Sequence, residues 1–536
     1  MGETKYIIVT GGVLSGLGKG IATASIGYLL KNQLRVIPIK CDGYLNVDPG
    51  TMNPLEHGEV YVLDDGGEVD MDFGHYERFL GTKCKSEWNL TMGKVFDEVR
   101  KKERRGDYLG RTVQYIPHVV NLIKEKFYEI SRKENAEIVL IEIGGTAGDI
   151  ENSLYLEAVR QMKKDVGKGN IIYVHLTYIP IPTGVKEQKS KPTQQSVELL
   201  RQRGIQPDII VGRCNELLTD KIKGKIAEFC DIEKEAVITG LDVGSIYEVP
   251  LVFNNEGMAK IINRKLNLDI TPKLERLKEL IASMNRQESK EINVAMCGKY
   301  TDLEDSYASV IESLKHAVIN LGHRLKIKWV ETTNIEKGII CIEEAMKGID
   351  GVIVPGGFGS RGAEGKISVI KYCRENNKPF LGLCYGMQLA VIEYARNVCN
   401  MEEANSSEIN PSTKLPVIDI LPEQRIIKTI GATMRLGGQD IMILPGTQAS
   451  KMFGNSVRLR FRHRYEVNPK FVNTLENGGI IFSGKNNDGK IMQIMELPKE
   501  KHNYFIATQA HPEFMSTIEE PNPLFIEFIR AIDNLP

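Results

Sequence analysis

The sequence predicts an α/β protein built from two doubly wound parallel sheets in tandem. Short, near-continuously apolar runs alternate with segments of helical period, a glycine-rich turn joins the first run to a helix, and the series restarts after a charged stretch near residue 290. Strand, helix, strand in that order requires crossover connections, which cover both faces of a parallel sheet with helices. The runs YIIVT (6–10), VIPI (36–39), EIVLIEI (137–143), IIYVHL (171–176), DIIVG (208–212) and AVIT (236–239) read as strands buried on both faces, since they lack sustained apolar–polar alternation. Between them, Val119, Val120, Ile123, Phe127 and Ile130 form one helical stripe, and another helix runs from Pro192 to a terminating Gly204.

A chain of 536 residues is long enough for about two large α/β domains. Residues 266–291 hold one short amphipathic helix and end in charged, polar sequence that suits a linker. The expected organisation is a first domain over 1–270, a linker over 271–291 and a second domain over 292–536. The second series begins with INVAMCG (292–298), continues with a helix over Ser306 to Asn320, and has strands at LKIKWV, GVIVPGG and PFLGLC. Beyond residue 440, RLRFRHRYEV, GGIIFSG, KIMQIMEL and NYFIATQ read as antiparallel additions at a sheet edge.

Composition narrows the function. With 42% hydrophobic and 26% charged residues, the chain is neither disordered, coiled coil nor disulfide scaffold. Lys+Arg at 69 balance Asp+Glu at 70, so no global field steers it to nucleic acid or an anionic membrane, and a polyanion needs a local pocket. The opening MGETKYIIVTGG does not read as a signal peptide, and no apolar run approaches the roughly 18 residues of a membrane span. None of the nine cysteines has CxxC spacing, which argues against a zinc ribbon and fits a cytoplasmic protein.

Directly after the first strand, Gly12, five residues, Gly18 and Lys19 form a phosphate-loop pattern one residue longer than usual, with Gly20 where Ser or Thr would ligate magnesium. Glycines let consecutive N–H groups turn inward, the helix presents its positive end, and Lys19 adds a point charge. Without the hydroxyl, Mg2+ needs carboxylates from elsewhere, and Asp72 and Glu142 are placed to supply them, Glu142 at the carboxyl end of a buried strand. GFGSRG (357–362) fits a dinucleotide pattern but has a better use as the loop beside a nucleophile. Lysines 186, 189, 191, 221, 223 and 225 form two clusters in an otherwise neutral chain, Lys189 and Lys225 being the candidates for a second polyphosphate.

In KPFLGLCYGMQLAVIEYAR, Cys384 sits between an apolar strand and an amphipathic helix. Such an elbow lifts the thiol to the sheet edge and aims a helix N-terminus at it, which favours thiolate. QAHPEF supplies His511 as base and Glu513 to orient it, while the N–H groups of Tyr385 and Gly357 are candidate oxyanion donors. The other eight cysteines read as small buried hydrophobes.

These residues carry a resemblance over essentially the whole chain. The second half resembles a class I glutamine amidotransferase domain, a flavodoxin-like α/β glutaminase. The first half, through SGLGKG, DGYLNVDPGTMNP, HGEV, DFGHYERF, ERRGDYLG, EIGGTAGDIE and KPTQ, resembles the P-loop-like synthetase (amidoligase) domain of the cytidine triphosphate synthases. The resemblance implies that the first domain binds ATP and UTP, phosphorylates the uracil 4-oxygen and replaces that phosphate with ammonia to give CTP, the last step of de novo pyrimidine nucleotide synthesis. It implies that the second domain hydrolyses L-glutamine to supply the ammonia. Carried over by position, Ser15, Gly16, Leu17, Gly18, Lys19 and Gly20 match the ATP loop, Lys40 a catalytic lysine, and Asp72 and Glu142 the Mg2+ ligands. Asp149, Ile150 and Glu151 match the segment that reads CTP, and Leu241, Asp242 and Val243 the adenine contact. Lys189, Ser190, Lys191, Pro192, Thr193 and Gln194 match the pyrimidine triphosphate site with Lys225. Cys384, His511 and Glu513 match the triad, and Gly357, Tyr385, Gly386, Met387, Gln388, Glu408 and Arg464 the glutamine site.

The resemblance further implies GTP as activator through a loop like GATMRLGGQ (431–439), CTP as feedback inhibitor, a homotetramer, and an ammonia passage past Pro54, His57 and Val60. Gly16 departs from a second serine common in relatives and Gly43 from a proline, which bears on nucleotide affinity rather than activity. Two rival readings are another fused amidotransferase, such as a cobyrinic-acid amide synthase, and a partition-type nucleotide-switch ATPase with a non-catalytic second domain. The first has no need of the KPTQ lysines, and the second leaves Cys384, His511 and Glu513 unexplained.

Overall fold

The computed structural model describes residues 3–53, 58–284, 289–299, 304–420 and 434–534. The chain forms two compact units, one of Met1–Pro49 with Asp72–Ile281, the other of Gly50–Met71 with Ala282–Pro536.

The first unit is organised on a seven-stranded sheet in the order Asn89–Thr91, Val36–Asp42, Ile138–Ile143, Lys5–Gly11, Ile171–Tyr178, Ile209–Cys214, Val237–Leu241. Every neighbouring pair is parallel. Ile7, Ile8, Val9, Leu140, Ile141 and Val174 are fully buried, the expected result of near-continuous apolar strands between two helical layers. Each such side chain contributes about 1.5–3 kcal/mol on burial. Register sets Val9 on one flank of Glu142 and Lys40 on the other, so the carboxyl ends of three adjacent strands converge. The edge strand Asn89–Thr91 and the helices Asp72–Leu80 and Met92–Arg105 lie beyond the elements the sequence picked out. The strand is only three residues long, and the charged helix MGKVFDEVRKKERR buries only Met92, Val95 and Val99.

The second unit has a nine-stranded sheet. Arg324–Glu331, Glu291–Gly298, Gly351–Val354, Phe380–Leu383 and Phe505–Thr508 run parallel in that order, and Met492–Glu496, Ile481–Lys485, Arg435–Ile443 and Ser456–His463 continue it antiparallel. Two expectations are corrected. NYFIATQ is no antiparallel edge addition: Phe505–Thr508 pairs in parallel with Phe380–Leu383 inside the sheet. RLRFRHRYEV is not one strand, because the chain breaks at Arg464 and Tyr465–Val467 joins a separate three-stranded sheet against Leu415–Ile420.

The partition of the chain also differs from a single boundary at 271–291. Residues 275–281 of the helix Glu275–Met284 belong to the first unit, and Gly50–Met71 belongs to the second. The inserted segment is tied in by polar contacts that only the folded chain creates: Tyr61 OH donates to the Phe514 carbonyl (2.7 Å), Arg460 Nη1 to the Val62 carbonyl (3.1 Å), and Arg462 Nε to Glu68 Oε1 (2.7 Å).

Two candidate active sites

In the first unit the loop after Lys5–Gly11 bends through left-handed conformations at Val13 (φ 77°), Gly16 (φ 75°) and Gly18 (φ 83°) before the helix Lys19–Leu30 begins. Gly20 explains the unusual end of the motif. A Cβ there would lie 2.0 Å from Asp72 Oδ1, so the carboxylate occupies the space a Ser or Thr side chain would need. Lys40 Nζ donates to Glu142 Oε1 at 2.7 Å and also bonds Asp72, while Tyr76 OH donates to Glu142 Oε2 at 2.5 Å. Burial alone would lower the Lys40 pKa, but Asp72 and Glu142 outweigh it and hold it well above the ordinary lysine value. Burial raises Asp42 to about 6, and it lowers Lys19, whose ammonium donates to the Gly145 carbonyl at 2.9 Å. Burial would also raise Asp72, yet Lys40 keeps it below the usual carboxylate range.

Three carboxylates around two lysines leave an excess of negative charge. The carboxylates of half-buried Asp72 and fully buried Glu142 are hard oxygen donors of the kind that hold Mg2+ together with substrate phosphates, so the donor set fits that ion. Among the described residues there is no group of three or more His, Cys, Asp and Glu arranged as an all-protein metal cage.

Two cavities open in this unit, the first beside the loop. One, of about 130 Å³, brings Leu17 and Gly18 together with Leu241, Asp242 and Val243 under an apolar wall of Ile21, Val211 and Phe253. Arg213, which the sequence reading missed, links its two sides, donating to the Gly16 carbonyl (3.0 Å) and to Asp242 Oδ1 (2.8 Å). The other, of about 520 Å³, gathers Lys189, Ser190, Lys191, Gln194 and Lys225 with Lys186 and Lys221. Thr193 turns away from it to bond Thr177 Oγ1 in the core (2.9 Å), Pro192 does not line it, and Lys223 pairs with Glu256 (2.6 Å). Asp149 accepts from Thr146 N (2.6 Å) and Oγ1 (2.7 Å), so it braces its own loop, while Ser15, Ile150 and Glu151 are exposed. A Cβ on Gly43 would lie 2.9 Å from the Glu151 carbonyl carbon, the close approach that glycine permits here.

In the second unit the carboxyl ends of three adjacent parallel strands carry the loop from Pro355, Cys384 and His511. Cys384 sits at φ 49°, ψ −99°, a strained backbone for a residue with a side chain, and the helix Tyr385–Asn397 starts directly after it. The turn closes because Gly386 has no side chain: a Cβ would lie 2.2 Å from the Val354 carbonyl oxygen. His511 Nδ1 and Glu513 Oε1 are 2.7 Å apart, and His511 Nε2 is buried with no hydrogen-bond partner among the described residues. Burial opposes protonation of His511, but Glu513 and the Cys384 sulfur raise its pKa well above the ordinary histidine value. A Cβ on Gly356 would come within 3.0 Å of His511 Cε1 and 3.8 Å of Cys384 Cβ, which puts thiol and imidazole side by side under that loop. Gln509, unforeseen in the sequence, donates to the sulfur at 3.4 Å.

A cavity of about 130 Å³ opens on this centre, lined by Cys384, His511, Gly357 and Phe358, with Glu59 and Val60 from the inserted segment. Glu408 Oε1 accepts from Gly359 N at 3.0 Å, and Tyr385 OH donates to the Gly359 carbonyl. Gln388 spends its amide on the Tyr465 carbonyl (2.9 Å) and Gln509 (3.2 Å), and Met387 is fully buried. Arg464 occupies the break between two sheets, with Glu408 and Arg464 both acting electrostatically on Tyr465. Of the eight other cysteines, Cys341 is exposed and Cys399 half-buried, contrary to the expectation that all are buried. Pro54, His57 and residues 431–433 of the GATMRLGGQ loop lie outside the described residues.

The comparisons with known proteins agree with two joined α/β units. Residues 302–531 match the family described as glutamine amidotransferase class-I, which gives the class of the second unit. Residues 5–268 match the family described as CTP synthase N-terminus. A CTP synthase of Borreliella afzelii is 52% identical over 534 residues, 98% of this chain and 99% of that protein. One of Archaeoglobus fulgidus is 51% identical over 529 residues, 98% of both. A solved glutaminase domain of Trypanosoma brucei CTPS with bound acivicin is 34% identical and covers 46% of this chain and 95% of its own, with a TM-score of 0.42. The chain belongs to the CTP synthase family.

Proposed function

We propose that the protein converts UTP to CTP, spending ATP and using ammonia that it releases from glutamine. The observation that supports this most directly is the pairing, in one chain, of a Cys384–His511–Glu513 centre with a Lys40–Asp72–Glu142 cluster behind a phosphate loop. At the first, Glu513 holds Nδ1–H, leaving Nε2 to take the thiol proton. The thiolate attacks the glutamine amide carbon, His511 passes the proton to departing ammonia, and water then cleaves the thioester to glutamate. The N–H groups of Gly357 and Tyr385 are the oxyanion donors, and Glu408 and Arg464 orient the substrate, Arg464 through its planar fork.

At the second centre the uracil 4-oxygen attacks the γ-phosphorus of ATP and ADP leaves. Ammonia then displaces the phosphate, giving CTP. Lys19 and Lys40 stabilise charge on the transferred group, since positioning and electrostatics supply most of the catalysis in phosphoryl transfer. Asp72 and Glu142 would hold Mg2+, which when bound neutralises charge on the triphosphate. Leu241, Asp242 and Val243 take the adenine, with Leu17 and Gly18 beneath it. Lys189 and Lys225 take the UTP triphosphate, and the Asp149–Glu151 loop reads CTP as feedback inhibitor. Val60 faces the route the ammonia leaves by. GTP activation, a homotetramer and a cytoplasmic location belong to the same reading; no described helix is long and apolar enough to cross a membrane.

Neither rival is supported, since relatives named CTP synthase match along 98% of the chain, both the phosphate-loop half and the thiol half. The test is product analysis after mixing protein, ATP, UTP, Mg2+ and glutamine. CTP, ADP, phosphate and glutamate in equal amounts are expected; glutamate without CTP rejects the reading.

A further inference from the structure

Lys366 is the most anomalous charged residue of the second unit. It lies in the helix Ala363–Glu375, is 0% exposed, and its ammonium has no hydrogen-bond partner among the described residues. An uncompensated buried cation is costly to folding, and burial brings its pKa down to about 8. The titratable groups acting on it are Cys297, Lys299, Glu331 and Arg361, and two of these repel it. Such a group persists where something else requires it.

Its position indicates what. The ammonium lies 3.6 Å from the point where a side chain on Gly357 would begin and 5.1 Å from the centre of the Tyr385 ring, against the backbone of one candidate oxyanion donor and the side chain of the residue that carries the other. The rest of that loop is tied down: Lys299 bonds the Phe358 carbonyl, Tyr385 OH the Gly359 carbonyl, and Glu408 the Gly359 N–H. The stretch over Lys366 has no such tie from the ammonium. A cation below a peptide group draws its carbonyl down and turns the N–H on its other side up.

We propose that Lys366 is a positioning residue of the glutaminase centre: on glutamine binding its ammonium takes a carbonyl of the Gly356–Gly357 stretch as acceptor, turning N–H toward the thiol and completing the oxyanion pocket. This rests on the glutaminase reading of Cys384. It also assigns the orphaned charge a function that only appears during turnover, when the carbonyl repays its burial.

The test compares Lys366→Met, which keeps the volume, with Lys366→Gln, which keeps a neutral donor, in the full-length chain. Glutaminase kcat should fall at least tenfold in the Met variant and less in the Gln variant. Alkylation of Cys384 by a haloacetamide, a step that forms no oxyanion, should stay within about twofold, and the thermal midpoint should hold or rise because a buried unpaired charge is gone. Unchanged kcat in Lys366→Met overturns the proposal. So does a lowered midpoint, failure to fold, or a parallel loss of alkylation, each of which makes the lysine merely structural. If the unmutated protein fails to hydrolyse glutamine at all, the glutaminase reading falls, and this proposal with it.

Discussion

In the first unit the reactive groups hold one another. Lys40 spans Asp72 and Glu142, Tyr76 braces Glu142, and Arg213 ties the loop at Gly16 to Asp242. In the second the backbone does the holding: Cys384 is fixed by a φ of 49° and by the room that Gly386 leaves beside Val354. Phosphoryl transfer asks for charge spread over several oxygens, which side chains on separate strands supply. Acyl transfer asks for one sulfur and two N–H groups in register, which a strained turn supplies more rigidly. The first site should therefore be most sensitive to charge and the second to backbone space.

The sharpest break between them is Cys384→Ala. Glutamine-dependent CTP formation should drop by on the order of 10⁴ or more while ammonia-dependent formation is unchanged, read by CTP assay with each nitrogen source. Loss of both would mean that the centres are not separate. Next, Lys40→Met should lower synthesis from either nitrogen source by about 10³, leave glutamine hydrolysis intact, and cost about 3 kcal/mol in denaturant unfolding of the first unit, because Glu142 stays fully buried without its cation. Retained synthesis would show that charge does not govern that site. Gly386→Ala sharpens the other side. Its Cβ would lie 2.2 Å from the Val354 carbonyl oxygen, so glutaminase kcat should fall about 10²–10³ with ammonia-dependent synthesis spared.

Val60→Phe should have a smaller effect, lowering CTP formed per glutamine hydrolysed severalfold without slowing hydrolysis; an unchanged ratio removes Val60 from the ammonia route. The smallest effect is on pH. His511 has a folded-state pKa above its unfolded value near 6.5, so its contribution to stability is complete below about 6.5 and is lost as pH rises through the folded value. Glu513→Gln should flatten that decline in the thermal midpoint of the second unit, and an equally steep decline would deny Glu513 its part in raising the imidazole pKa.

How much of this was legible in the sequence varies with the range of the contacts. The six apolar strands of the first unit, the phosphate loop and the Cys384 elbow are local patterns, in which a few consecutive residues already contain the strand, the glycine and the helix start. Asn89–Thr91 was hidden because three residues carry no period. Phe505–Thr508 looks like any short strand, and only its partner decides that it runs parallel beside the nucleophile's strand. The site shows the same division. Lys19, Glu142, Cys384 and His511 stand in recognisable strings, whereas Arg213 and Lys366 sit in ordinary ones, and Gln509, though it opens QAHPEF, matters like them through what it meets in space.

The sequence by itself determined the periodicity that builds two parallel sheets, the glycines that make their sharp turns, and the residue types needed for a thiol centre and a phosphate site. Tertiary structure alone decided that Asp72 fills the space beside Gly20, that Gly50–Met71 packs with the second unit, and that a lone ammonium lies under the Gly357 loop. The reason is physical. Backbone propensity and burial pattern act over a few residues, while steric exclusion and charge act through space between residues that the chain order leaves far apart.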